Sequence, residues 1–127
     1  AGAELLIYPT AIGWESTDTE DEKQRQTDAW ITTQRAHAIS NGLHLIAVNR
    51  TGFEPDPSGA TKGIQFWGNS FVAGPQGEIL AQADALTDQL LLKDIDLGKT
   101  ETVRRMWPFL RDRRIDAFTG ITQRLID

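Results

Sequence analysis

The stretch Asn41–Arg50, NGLHLIAVNR, decides the fold. Asn-Gly is a helix C-cap signature, and the apolar run LHLIAV begins at once behind it. That run is near-continuous rather than alternating, the pattern of a strand covered on both faces. Ahead of it the spacing predicts a helix over Glu20–Ser40. Ahead of the helix stands a short apolar strand, Glu4–Tyr8, bounded by Gly2 and Pro9. Strand, helix and strand with so short a return form a βαβ unit, so the two strands are expected side by side and parallel. The helix is expected to bury Ala29, Thr32, Thr33, Ala36 and Ile39, a mostly small stripe that lets it lie close on a sheet.

Downstream, TGFEPDPSGATKG (51–63) reads as a long Pro/Gly loop. IQFWGNSFVAGPQGEILAQA (64–83) reads as a hairpin, with Pro75 preset for the second turn position and Gly77 for the fourth. QLLLKDIDL (89–97) is expected as a further antiparallel strand, and a second helix from Thr100 to Trp107 stops or kinks at Pro108. The class is α/β with a mixed sheet covered by helices.

At 127 residues, 39% hydrophobic and 24% charged, the chain is expected to make one domain with a sizeable core. A net charge of −5 disfavours nucleic acid or an anionic membrane as partner, and the basic RDRR cluster (111–114) is interleaved with acids. No apolar run approaches the roughly 18 residues of a membrane span. Nothing at the start reads as a signal peptide, so a cytoplasmic location is expected. There is no cysteine, hence no disulfide and no thiolate nucleophile or metal ligand within the chain. His37 and His44 lack zinc-ligand spacing, so no metal is expected. The sequence opens without methionine and almost directly on a core strand, so the chain is expected to be the second part of a longer protein.

Ligands of α/β sheets bind beyond the carboxyl ends of parallel strands. Two loops leave such ends, YPTAIGWE (8–15) and NRTGFE (49–54), and both emerge on one sheet edge. Trp14 and Glu15 therefore stand where a pocket belongs. A carboxylate beside an indole suits a cationic amine, through a charge-assisted hydrogen bond and a cation–π face. The same Glu15 also fits the start of a solvated acidic loop, since four more acids follow by Glu22. Asn49-Arg50 fits an anion site or, better, a structural pairing with an acid such as Glu54. His37 and His44 read as satisfied or surface imidazoles, and Ser70 lacks the Gly-x-Ser-x-Gly elbow of a serine hydrolase.

Taken together, GAELLIYPTAIGWE, NGLHLIAVNRTGFEPD, FWGNSFVAGPQGEIL and RRMWPFLRDRRIDAF resemble the C-terminal half of a nitrilase-superfamily carbon–nitrogen hydrolase. YPTAIG followed by Trp-Glu, with WPFLRDRRIDAF, resembles the branch that acts on N-carbamoylputrescine. The resemblance implies an α-β-β-α sandwich, of which residues 1–127 form the C-terminal half, and a Cys-Glu-Lys triad that lies entirely upstream of this chain. It implies no metal or organic cofactor. It assigns Glu15 to the distal ammonium of a small cationic carbamoyl-amine substrate, and Thr10, Ala11 and Ile12 to the pocket wall beside the reacting carbon, with Trp14 as a further wall. It also implies a homo-oligomer, with the tail 108–127 packing at a subunit interface and the missing N-terminal half covering an apolar sheet face to which Val48, Phe71 and Leu92 contribute.

Overall fold

A computed structural model describes residues 2–118, 120 and 121. The predicted βαβ unit is present. Strand β1 (Leu5–Pro9) is followed by a short strand β2 (Gly13–Glu15), helix α1 (Glu20–Asn41) and strand β3 (His44–Val48). Strands β1 and β3 pair in parallel, from Leu5 opposite His44 to Pro9 opposite Val48. Local chemistry sets the bounds of α1. The Thr19 hydroxyl accepts from the Glu22 N–H at its start, and Gly42 takes the left-handed conformation (φ +56°) that ends it.

The buried face of α1 differs from the predicted stripe. Ala29, Thr32, Thr33 and Ala36 are exposed and Ile39 is half-buried, whereas Thr27, Gln34 and Ala38 are buried with Trp30 and Ile31 packed beside them. Apolar and small residues surround this helix, so spacing alone does not select a face. Trp30 selects it. Its ring lies edge-on to Phe71 at 5.9 Å and to Trp67 at 6.1 Å, and an aromatic side chain offers the largest apolar area to bury.

Three further expectations are corrected. The first four residues of the predicted loop form β4 (Thr51–Glu54), which pairs antiparallel with β5 (Ile64–Trp67) and shortens the loop to 55–63. The predicted single hairpin is divided: β5 joins a three-stranded sheet of order β2-β5-β4, while β6 (Phe71–Ala73) and β7 (Ile79–Gln82) complete a four-stranded sheet of order β1-β3-β6-β7. Consecutive left-handed residues, Gly68 (φ +53°) and Asn69 (φ +56°), redirect the chain between the two sheets. The turn itself is as predicted, with the Gly77 N–H donating to the Gly74 carbonyl at 2.9 Å. Residues 89–96 form no strand, and Leu90 and Leu92 are each 84% exposed. No strand among the described residues pairs with this segment, and without a ladder its alternation has nothing to act on.

Helix α2 (Leu97–Met106) starts earlier than expected because the Asp96 carboxylate caps the Gly98 N–H at 2.9 Å, and it stops before Pro108 as predicted. It is held to the sheet by buried Val103, by an ion pair of Lys99 with Glu78, and by the buried His44 imidazole, whose Nδ1 lies 3.3 Å from the Thr100 hydroxyl. Burial holds the His44 pKa below the ordinary histidine value. Beyond it come a short helix α3 (Phe109–Asp112) and a 3₁₀ turn at Ile115–Ala117. Residues 119 and 122–127 of the predicted tail lie outside the described residues.

The core lies between α1 and one face of the four-stranded sheet, where Ala38, Leu45, Ala47, Phe71 and Ala73 pack with Leu6 and Tyr8. Phe71, expected on the open face, is fully buried here, because alternation along β6 turns it toward Trp30. The other face carries Ile7 and Val48, 59% and 48% exposed. Against it, residues 83–95 bound a cavity of about 600 Å³ that includes Ile46, Val48 and Val72. No helix among the described residues is long and apolar enough to cross a membrane.

Candidate functional site

The loop 10–12 leaves the carboxyl end of β1 beside the carboxyl end of β3. Pro9 has no N–H for the ladder, and Thr10 takes over: its backbone N–H and its hydroxyl both donate to the Val48 carbonyl, at 2.7 and 2.8 Å. Ala11 is exposed and Ile12 half-buried. The Ile12 peptide is held by one side chain, Asn49. Its Oδ1 accepts from the Ile12 N–H and its Nδ2 donates to the Ile12 carbonyl, both at 3.0 Å.

Past the loop the chain enters β2, antiparallel to β5 with Gly13 opposite Phe66 and Glu15 opposite Ile64. Gly13 is required by space, not by backbone freedom, since it has no positive φ. A Cβ there would meet the Gln65 carbonyl group, with the Gln65 carbonyl carbon at 2.6 Å and the Phe66 Cα at 2.7 Å. Gly13→Ala in the full-length protein is therefore expected to destabilise by about 1–3 kcal/mol, as overpacking against backbone does. Urea unfolding reads this directly, and an unchanged midpoint would show that β2 stands clear of β5.

Successive residues of a strand face opposite sides, so Trp14 and Glu15 diverge. The Trp14 indole turns to α1: its Nε1 donates to the Lys23 carbonyl at 3.1 Å, its ring lies 5.7 Å from that of Trp67, and the Lys23 ammonium sits 5.8 Å from its centroid. The cation over this indole is thus one of the chain's own. Glu15 is exposed, and its backbone N–H donates to the Asp18 carboxylate at 2.9 Å. Glu20, Glu22, Glu54, Glu78 and Glu101 each hold a lysine or arginine; Glu15 holds none among the described residues.

Arg50 pairs with Glu54 at 2.6 Å, as the sequence suggested, and its guanidinium covers the Phe66 ring at 4.1 Å. The structure therefore joins Thr10 and Ile12 through Val48 and Asn49, sets Trp14 behind β2, and leaves Ala11 and Glu15 open. What sequence reasoning missed is the reach of Asn49. The available signal was chemical: a neutral amide at a strand end carries donors and an acceptor at once and can serve a whole peptide group. Among the described residues no cluster of three His, Asp or Glu could hold a metal ion.

Comparison with known proteins gives the following. The family model for carbon–nitrogen hydrolases matches residues 1–105. The chain is 39% identical over 118 residues to the N-carbamoylputrescine amidase of Arabidopsis thaliana, covering 92% of this chain and 38% of that protein. It is 33% identical over 124 residues to a citrullinase of Francisella tularensis, covering 97% and 41%. A crystal structure of a carbon–nitrogen hydrolase from Helicobacter pylori G27 superposes with a TM-score of 0.95 at 58% identity, over 98% of this chain and 43% of that one. The chain spans about two fifths of the length of the curated relatives it matches.

Proposed function

Because the chain belongs to the carbon–nitrogen hydrolase family, we propose that the protein it is part of cleaves N-carbamoylputrescine to putrescine, carbon dioxide and ammonia. The observation that carries the substrate is the open Glu15 carboxylate at the end of the 10–15 segment, which holds no cation among the described residues. A diamine-derived substrate brings an ammonium several methylenes from the carbonyl under attack, and selecting it calls for an anion at that distance. In this reading Thr10, Ala11 and Ile12 line the pocket beside the reacting carbon and Glu15 meets the distal ammonium. Trp14 serves from behind, clamping β2 onto α1 and Trp67.

The chemistry proposed for the whole protein uses a cysteine, a glutamate and a lysine from outside this chain. The cysteine thiolate attacks the ureido carbonyl, the glutamate having taken its proton, and the lysine stabilises the tetrahedral oxyanion. Ammonia leaves with a proton returned by the glutamate. Water then cleaves the carbamoyl thioester to a carbamic acid, which loses carbon dioxide and frees the amine. We further propose a homo-oligomer in which exposed Trp107, Phe109, Leu110, Ile115 and Phe118 of the tail pack on a second subunit.

A second reading is cleavage of citrulline or another carbamoyl, amide or nitrile compound, which the 33% identity to a citrullinase favours. Citrulline carries its ammonium at the same spacing from the ureido group and adds a carboxylate on the same carbon, so the two compounds differ at Glu15 only by that added negative charge. The test is ammonia release by the full-length protein from N-carbamoylputrescine, citrulline and neutral N-butylurea. The cationic compound is expected to exceed the neutral one by on the order of 100-fold in kcat/KM, the scale of a desolvated charge pair. Preference for citrulline would establish the second reading, and no release from any of the three would point to a non-catalytic assembly module.

A further inference from the structure

Asn49 engages every polar group it has. Its side-chain Oδ1 accepts from the Ile12 N–H at 3.0 Å; its Nδ2 donates to the Ile12 carbonyl at 3.0 Å and to the Gly68 carbonyl at 3.1 Å. Its backbone N–H donates to the Ser70 hydroxyl at 2.9 Å, and that hydroxyl faces the Asn49 carbonyl at 3.3 Å. The residue is only 9% exposed. The amide has one workable orientation, since a flip would set its oxygen against two carbonyls. It thus closes a knot between three segments: the loop after β1, the end of β3, and the left-handed Gly68-Asn69 crossing between the sheets. Among the described residues Ile12 has no side-chain hydrogen-bond partner other than Asn49, and Ala11 has none.

We propose that Asn49 is a positioning residue: it sets the conformation of the 10–12 loop, and through that loop the placement of the substrate carbon. The inference rests on the reading that this loop lines the reacting end of the pocket. An asparagine is needed because the site presents an N–H and two carbonyls within reach of one planar group. Aspartate offers acceptors only, serine is too short to bridge, and a cation would leave the Ile12 N–H without an acceptor. Among the described residues the loop is otherwise tied by Thr10 on Val48 where it begins, by a long 3.5 Å bond from the Trp67 N–H to the Ile12 carbonyl, and by β2 on β5 where it ends.

The test is Asn49→Asp in the full-length protein, which keeps shape and the acceptor for Ile12 but turns a carboxylate oxygen on two carbonyls. kcat/KM is expected to fall by on the order of 100-fold, the scale of an ångström of misplacement, with kcat carrying the larger part. Amide exchange at residues 10–13 and 68–70 should quicken while that of Leu45 and Phe71 stays slow. The ratio of variant to wild-type kcat should rise as pH falls, because a protonated carboxyl regains one donor. A lower thermal midpoint with unchanged kcat and KM per folded molecule would overturn the proposal, as would lost activity with unaltered exchange in the loop. If the aspartate variant does not fold, Ser70→Ala, which removes the brace on the Asn49 backbone, should show the same pattern in smaller measure, and its wild-type kinetics would overturn it equally. A wild-type enzyme that cleaves simple amides but no ureido compound sinks the substrate reading alone, since the Asn49 ratio is then measured on the amide.

Discussion

Purified alone, a polypeptide of these 127 residues is expected to release no ammonia from N-carbamoylputrescine under conditions where the full-length protein does. The chain has no cysteine, and its other groups do not substitute for one. The Ser70 hydroxyl is committed to the Asn49 backbone. His37 lies against the Tyr8 hydroxyl at 3.2 Å, and His44 is buried against Thr100. Among the described residues neither imidazole has a hydrogen bond to a serine hydroxyl that would activate that hydroxyl as a nucleophile. Loss of a nucleophile and its base as a unit lowers kcat by on the order of 10⁶-fold in hydrolases, so the signal should vanish into background. Ammonia is followed on both proteins, with far-ultraviolet circular dichroism showing that the shorter one is folded. Turnover by the shorter chain at the full-length rate would overturn the proposal that the triad lies outside it.

Glu15→Gln in the full-length protein is expected to lower kcat/KM for N-carbamoylputrescine by on the order of 100-fold, the effect of removing one charge from a desolvated pair. Glutamine keeps the length and planarity of the side chain, and the Glu15 backbone bond to Asp18 does not depend on the side chain. N-butylurea, which lacks the amine, should be turned over by both proteins alike. Equal losses on the two substrates would mean that β2 had been disturbed, as Gly13→Ala would disturb it. No loss on either would return Glu15 to the solvated acidic run that follows.

The two experiments bear on different parts of the assignment. The first tests where the chemistry resides and needs no detail of the loop. The second tests what one carboxylate recognises, and depends on its facing away from Trp14 and α1. Had the indole and the carboxylate shared a side of β2, Lys23, which already sits over the indole, would have been a built-in competitor for the substrate ammonium.

Several elements were legible because their signals act over a few residues. Gly42 ends α1, Pro75 and Gly77 make the β6–β7 turn, and Pro108 follows the end of α2; each acts on backbone within one turn of itself. The βαβ unit followed from the length of its connection, and the likeness to carbon–nitrogen hydrolases from motifs running in order along the chain. Facing and pairing were not legible in this way. The buried side of α1 depends on Trp30 meeting Phe71, 41 positions on, and β4 is a strand because β5 returns to pair with it. Residues 89–96 have strand composition and no partner strand among the described residues. The candidate site divides along the same line. By itself the sequence determined that a carboxylate ends the segment following β1. Only the tertiary structure decided that Trp14 and Glu15 part to opposite sides of a strand, and that Asn49 reaches Ile12 and Gly68, 37 and 19 positions away. Caps, turns and prolines are local free energies, whereas a ladder or a buried amide exists only once distant backbone supplies the other half of the hydrogen bond.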